Sequence, residues 1–333
     1  MPYNPPYSIT PIILKQVADI SEAIGRLSAQ VDMSNALRLR RANRIRTVQG
    51  SLAIEGNTLS EAQITAILEG KHVIAPPKEV LEVQNALKAY DKLPHWQPAN
   101  EQHLLHAHRV LMAGLLEDAG HYRQGGVGVM SGDQVVHMAP GANQVPRLMT
   151  DLLRWLQHSD APALITSCVF HYEFEFIHPF ADGNGRIGRL WQTLILSQWQ
   201  PVFTDIPVES LIHQHQPAYY QALRDSTARS DCSPFIEFML GVITATLQET
   251  LANVSETSSK TRVKTQVETR VKTPEQILAL LAQHPEMSLV DVAVHLGRSP
   301  STIERAVARL KEQQRLAFHG PKKGGYWQVL ESK

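Results

Sequence analysis

The sequence of 333 residues is poor in cysteine, with only Cys168 and Cys232. Two thiols exclude a disulfide framework and a four-cysteine zinc site, and they fit a reducing compartment. The N-terminus, Met1-Pro2-Tyr3-Asn4-Pro5-Pro6, lacks the basic-then-apolar pattern of a secretory signal. Long apolar runs are missing as well. The longest, Phe238 to Leu247, reaches about half of what a bilayer demands. From these absences the expectation is a soluble cytoplasmic protein. Net charge is absent too, since 32 cations balance 32 anions, which excludes an indiscriminate coat for nucleic acid. What remains is 43% hydrophobic residues in a chain long enough for about two domains and a core that needs no staples.

The zero hides an uneven distribution. Residues 33–50 hold five cations (Arg38, Arg40, Arg41, Arg44 and Arg46) and no anion, whereas residues 96–252 hold 8 cations against 15 anions. Residues 253–333 hold 13 cations against 8 anions. No lysine occurs between Lys92 and Lys260, so every cation of the acidic middle is arginine. A guanidinium grips carboxylate or phosphate in a fixed fork, which an ammonium cannot do. The arginine stripe at 38–46 could meet phosphate or acidic protein, or it could be a solvated helix face.

Most of the chain carries helical periodicity. Apolar residues recur at three- and four-residue spacings in 11–31, 60–69, 79–93, 101–116, 145–157, 162–176, 187–199 and 234–251. Around Ser131-Gly132-Asp133-Gln134, the apolar runs 127–130 and 135–138 predict a β-hairpin. Residues 253–273 are mostly Ser, Thr, Lys, Arg and Val with no aromatic, and Thr-Arg-Val-Lys-Thr occurs at 261–265 and 269–273. Such a segment has little to bury and reads as a linker. Beyond it, a helix over 274–283, a Ser288-capped helix ended by Gly297, and a helix from Ser299 to Glu312 form helix-turn-helix grammar. Leu316 to Val329 fits a two-stranded wing. The segment resembles a winged-helix domain, whose helix 299–312, with Arg305, Arg309 and Lys311, would enter a major groove. DNA, a protein partner or a second copy of the chain are all open as its contact.

The chemistry concentrates in His178-Pro179-Phe180-Ala181-Asp182-Gly183-Asn184-Gly185-Arg186-Ile187-Gly188-Arg189. Gly183-Asn184-Gly185 at a helix start lets successive amides point into one concavity, an anion nest reinforced by the helix dipole. Arg186 and Arg189, three apart, share the face of the first turn and can hold a polyphosphate from the side. Asp182 is a hard oxygen ligand suited to Mg²⁺, and His178 could act as general base. Together these residue types describe a phosphoryl or nucleotidyl transfer site, with a plain anion-binding or structural turn as the alternative.

This stretch resembles the signature of Fic-domain proteins, H-P-F-x-[D/E]-G-N-G-R-x-x-R, and matches every specified position. The resemblance implies an all-α Fic-type helical core with a small β-hairpin flap, followed by the winged helix. It implies transfer of AMP from ATP to a Ser, Thr or Tyr hydroxyl of a protein, the chain itself included. On that reading His178 deprotonates the hydroxyl and Asp182 holds Mg²⁺ against the α- and β-phosphates. Gly183, Asn184 and Gly185 cradle the α-phosphate, Arg186 holds the β-phosphate and Arg189 the γ-phosphate. The hairpin 126–138 becomes the flap on which a protein substrate docks as an added strand. A phosphorylating subfamily lacks the intact G-N-G-R pattern, so its presence here favours AMP.

Upstream, Ser51-Leu52-Ala53-Ile54-Glu55-Gly56-Asn57 reads by itself as a helix end, with Ser51 and Glu55 on one face and Gly56 as a stop. Beside the signature it resembles the inhibitory [S/T]-x-x-x-E-[G/N] motif, whose glutamate pairs with the second signature arginine, here Arg189. The implied protein is autoinhibited, and some relatives use the same glutamate to remove AMP. Tyr219 and Tyr220 resemble aromatics that flank the adenine in relatives, or are two tyrosines of a core helix. His103, His106 and His108 lack a carboxylate to complete a metal set. The implied organisation is an N-terminal helical region 1–95 with the inhibitory motif, a catalytic core 96–252, a linker 253–273 and a winged helix 274–333. A homodimer is also open. A different reading makes the chain a DNA-binding regulator acting through the winged helix, with the core secondary.

Overall fold

A computed structural model of the protein describes residues 3–30, 33–126, 128–131, 134–270, 273–321 and 325–330. Among these, side chains are described except at 28–30, 33–39, 128–131, 134–138 and 253–270. The chain divides into two compact units, Met1–Val254 and Ser255–Lys333.

In the first unit some helices begin at side-chain caps, and prolines open several others. α1 spans Pro11–Gln30, α2 Met33–Ile54, α3 Glu61–Leu68, α4 Pro77–Lys92 and α5 Glu101–Leu111. Ser60 caps α3 in a complete capping box with Gln63, and Asn100 caps α5 by accepting from the His103 amide. α6 (Val145–His158), α7 (Ala163–Ile177), α8 (Asn184–Trp199), α9 (Val208–Gln214) and α10 (Gln216–Arg229) follow, and α11 (Ser233–Arg270) begins in this unit and continues past its end at Val254. Regions 1–95 and 96–252 share one hydrophobic core. α7 lies at its centre, buried almost throughout, and packs against α8.

The helical pattern over 33–54 is hard to see in sequence because its apolar residues make no clean stripe. α2 buries Ile45, Val48, Leu52 and Ile54, while its arginines turn outward to carboxylates of the same chain. Arg40 pairs with Asp205, Arg41 with Glu69, Arg44 with Asp91 and Arg46 with Glu61. These pairs fill the basic stripe's valences, and exposed pairs of this kind contribute only ~0–1 kcal/mol each. Arg38's side chain lies outside those described. α2 also meets α9 backbone to backbone: a Cβ on Gly50 would stand 2.6 Å from the Ser210 nitrogen. Only glycine permits that approach.

The hairpin forms as β1 (Gly128–Ser131) and β2 (Gln134–Met138), antiparallel, with Ser131 opposite Gln134 and an irregularity between Val129 and Met130. Val127, Gly132 and Asp133 of the expected hairpin lie outside the described residues. Two expectations change in α11. The apolar run is longer than the sequence suggested, since Ser233–Ala252 is long and apolar enough to cross a membrane, with a mean hydropathy of 1.3. Its Phe235, Ile236, Met239, Leu240, Ile243 and Leu247 are nevertheless core residues of this unit. The expected linker is helical through Arg270, because nothing between Pro234 and Pro274 except Gly241 interrupts helix propagation.

The second unit has its own core. α12 (Thr273–Gln283), α13 (Leu289–His295), α14 (Pro300–Glu312) and the antiparallel strands β3 (Leu316–His319) and β4 (Tyr326–Val329) enclose Ile277, Leu281, Val292, Ile303, Leu310 and Trp327. Ser288 caps α13 by accepting from the Asp291 amide. Lys311 Nζ sits 5.2 Å from the Trp327 ring centroid, a cation–π contact that joins α14 to the wing.

Candidate active site

α7 ends when His178 turns left-handed (φ 50°, ψ 61°), its amide still donating to Phe174 O at 2.9 Å. The chain then crosses to α8 in five residues closed by Asn184. Its side chain accepts from the Phe180 amide and donates to the Phe180 carbonyl, both at 2.9 Å. Phe180, fully buried, stacks face to face on the His108 ring, with centroids 3.7 Å apart. The turn is therefore fixed from inside the core before any ligand arrives.

His108 also sets the next residue. Its Nδ1 accepts from the Gly120 amide at 2.8 Å, so the ring proton is on Nε2, which donates to Asp182 O at 2.9 Å. Burial holds His108 down at about 4, neutral and locked in this tautomer. Asp182 presents its carboxylate outward, 57% exposed, with Oδ1 accepting from the Gly183 amide and from Arg186 Nη2. Arg186 is buried. Its Nη1 lies 3.6 Å from Glu82 Oε1, and its Nε has no hydrogen-bond partner among the described residues. The first amides of α8 point past Gly183 with no turn of helix before them, the arrangement that receives an anion.

Arg189, one turn along, is occupied. Its Nη2 donates to Glu55 Oε1 at 2.7 Å and to the Ser51 carbonyl at 2.9 Å, and its Nε donates to Ser51 Oγ at 3.2 Å. Glu55 follows the last residue of α2, where the chain bonds back to Leu52 O and Gly56 turns at φ +90°. The carboxylate also closes over the helix start, since a Cβ on Gly185 would stand 2.4 Å from Glu55 Oε1. Burial works against the Arg189 charge, and Glu55 more than restores it, keeping the guanidinium above its usual range. Ser51, Glu55, Asp182, Arg186 and Arg189 thus converge as the sequence implied.

A buried carboxyl completes the cluster. Glu175 Oε2 is 3.9 Å from His178 Nδ1 and its Oε1 is 3.9 Å from His171 Nε2. Burial pushes Glu175 up to about 8, with Arg189 pulling it down and Glu55 raising it. Tyr219 is a core residue, not an open aromatic wall. It is 2% exposed, ringed by His171, Phe235 and Phe238, and its hydroxyl lies 3.1 Å from His171 Nε2. Neighbouring Tyr220, about 100° round the helix, is half-buried. Among the other histidines, His103 Nδ1 accepts from the Gln97 amide and His106 Nδ1 from Trp96 Nε1. No group of three metal-ligating side chains occurs among the described residues.

Residues 98–196 match the family model described as Fic/DOC family. Residues 272–314 match that for winged helix-turn-helix DNA-binding. A crystal structure of a Fic family protein from Desulfovibrio desulfuricans G20 superposes with a TM-score of 0.77 at 41% identity, covering 99% of both chains. The chain belongs to the Fic family. This Fic protein also shares its fold with Fic-1 (residues 134–508) from C. elegans, at a TM-score of 0.62 over 74% of each chain. It is 28% identical over 221 residues to the protein adenylyltransferase Fic of Nematostella vectensis, and 28% over 246 residues to that of Aedes aegypti. Those matches cover 62% and 70% of this chain but 48% and 47% of the relatives, so the chain spans about half their length.

Sequence reasoning missed His108, Glu175, Glu82 and Arg123 at this Fic site. Arg123 hydrogen-bonds the His178 carbonyl, yet it lies outside the signature and carries no local pattern. His108 stands in a run of histidines that, as a sequence, raises only the question of a metal.

Proposed function

We propose that this Fic protein transfers AMP from ATP to a hydroxyl side chain of a protein and is held off by Glu55. One observation carries the proposal: at the α8 N-terminus, where Asp182 meets Arg186, the guanidinium a γ-phosphate would need is already bonded to Glu55 at 2.7 Å. In the reaction His178 takes the proton of the attacking hydroxyl as its oxygen bonds to the α-phosphorus. Pyrophosphate leaves, and the α8 amides receive the charge that grows on the α-phosphate. Arg186 and Arg189 hold the departing phosphates in their forks. The flap β1–β2 offers a strand edge to the target segment.

Asp182 fits Mg²⁺ as a single exposed carboxylate. Among the described residues no further metal-ligating side chains gather with it, so Asp182 alone would hold the ion, which would supply neutralisation of phosphate charge. On this reading Glu55 excludes the γ-phosphate by holding Arg189, and the same carboxylate assists AMP removal. The test is labelled ATP: Glu55→Gly is expected to raise incorporation into protein, and His178→Ala in that background to abolish it. Equal labelling by wild type and Glu55→Gly refutes the inhibition.

A second reading, a DNA-binding regulator acting through the winged helix, is supported by Arg305 and Arg309 standing exposed on α14. Arg305→Ala and Arg309→Ala are each expected to flatten the salt dependence of a mobility shift, by a log–log slope of about 0.9 for every phosphate no longer neutralised.

A further inference from the structure

Arg123 is 6% exposed, and among the described residues its side chain donates to backbone carbonyls alone. Nε donates to His178 O at 2.7 Å, and Nη2 donates to Ile177 O at 3.3 Å and to Pro140 O at 2.5 Å. Nη1 donates to Gly125 O at 2.8 Å, and the Arg123 amide donates to Pro179 O at 2.9 Å. Gly125 lies just before β1 and Pro140 just after β2. One planar group therefore grips both stems of the hairpin together with the carbonyls of Ile177 and the left-handed His178, and the Arg123 amide adds Pro179.

A buried guanidinium without a carboxylate is costly, and burial lowers its affinity for its proton. Its four carbonyl acceptors offset that cost only while hairpin stems and histidine turn keep their present spacing. A lysine has the charge but no rigid fork to span three carbonyl directions.

We propose that Arg123 is a positioning residue that registers the flap, and so the target strand lying on it, against the catalytic histidine. This rests on the AMP-transfer reading for its consequence. Among the described residues Arg123 bonds to none of Arg186, Arg189 and the α8 amides, so the nucleotide site is separate from the clamp. Loosening it therefore moves the hydroxyl relative to His178 while ATP still binds.

The experiment compares Arg123→Lys and Arg123→Gln in the Glu55→Gly full-length chain. Transfer kinetics, ATP affinity by calorimetry, melting temperature and amide exchange are read together. Transfer is expected to fall about 10- to 100-fold, as for a reacting group misplaced by an ångström. ATP affinity should stay within about twofold, and amides of 128–131 and 134–138 should exchange faster together with those of 177–179. Arg123→Lys, which retains charge, should fail nearly as badly as Arg123→Gln. Unchanged transfer, full rescue by lysine, or parallel loss of ATP affinity and melting temperature overturns the positioning role. If Glu55→Gly itself transfers no AMP, the functional reading fails. The clamp is then judged by exchange alone, and faster exchange in the hairpin without the 177–179 turn overturns it.

Discussion

Glu55 and Arg189 are 134 residues apart in sequence and 2.7 Å apart in space, one at the end of α2 and the other in the second turn of α8. The carboxylate is 34% exposed whereas the guanidinium is 1% exposed. The pair is thus open on the acid's side and closed on the base's, so its release moves Glu55 and leaves Arg189 in place.

Removing that carboxylate is expected to tighten ATP binding. A charge-assisted hydrogen bond is worth about 1.5–3 kcal/mol, and ATP must displace it, so Glu55→Gly should gain about 10- to 100-fold in affinity. Calorimetric titration with ATP checks this. An Arg189→Ala variant should lose the gain.

Glu175 imposes a pH signature on stability. Its folded value, about 8, lies above the ordinary 4.5, so the folded state resists its ionisation. The resulting penalty is absent below about pH 4.5, grows between there and pH 8, and is constant above. Glu175→Gln, which stays neutral, should match the wild type near pH 4 and melt progressively higher than it up to pH 8. Melting curves across that range test the sign. Glu55→Gly should shift the upper limit downward, because Glu55 raises Glu175.

His108 gives the opposite dependence. Its folded value of about 4 lies below the ordinary 6.5, so unfolding takes up a proton between those limits, and stability falls as pH drops through them. His108→Gln should be less stable at pH 7 by about 2–4 kcal/mol, from two lost hydrogen bonds and the Phe180 stack. It should lose less than the wild type on acidification. Denaturant titrations at pH 7 and pH 5 measure both effects.

In the C-terminal unit, Trp327 is the largest core residue and anchors the wing through its amide to Pro285 O and its indole to Met287 O. Trp327→Ala should cost about 3–5 kcal/mol, enough to unfold a unit of this size. The change should leave the melting of the Met1–Val254 unit unchanged in calorimetry.

The catalytic cluster was legible because its chemistry is contiguous, from His178 to Arg189, and the inhibitory motif was legible because Ser51 and Glu55 lie four apart. The winged helix announced itself by Ser288, Gly297 and the capped helix that follows. Arg123 and His108 were not legible. Their meaning lies in carbonyls at 125, 140, 177, 178 and 182, and a backbone carbonyl leaves no trace in residue identity. Tyr219 was ambiguous for a related reason: sequence puts it on a helix, but only packing decides which of two adjacent tyrosines faces His171. α2 shows no apolar stripe in sequence, so only its arginine run and its Ser51–Glu55 end suggested a helix, and the carboxylates its arginines serve lie far along the chain.

The close approach of Gly50 to Ser210 bears on how such a protein could change over generations. On the proposed function, the residue that would inhibit follows a helix that is also a wall of the fold, seated so closely on α9 that a single methyl group would not fit between them. Trimming the N-terminus to remove it would tear out Val48 and Leu52 with it and leave an open core. On that reading, escape from inhibition would be open to point changes at Glu55 and closed to truncation, so that brake and core would be inherited as one piece.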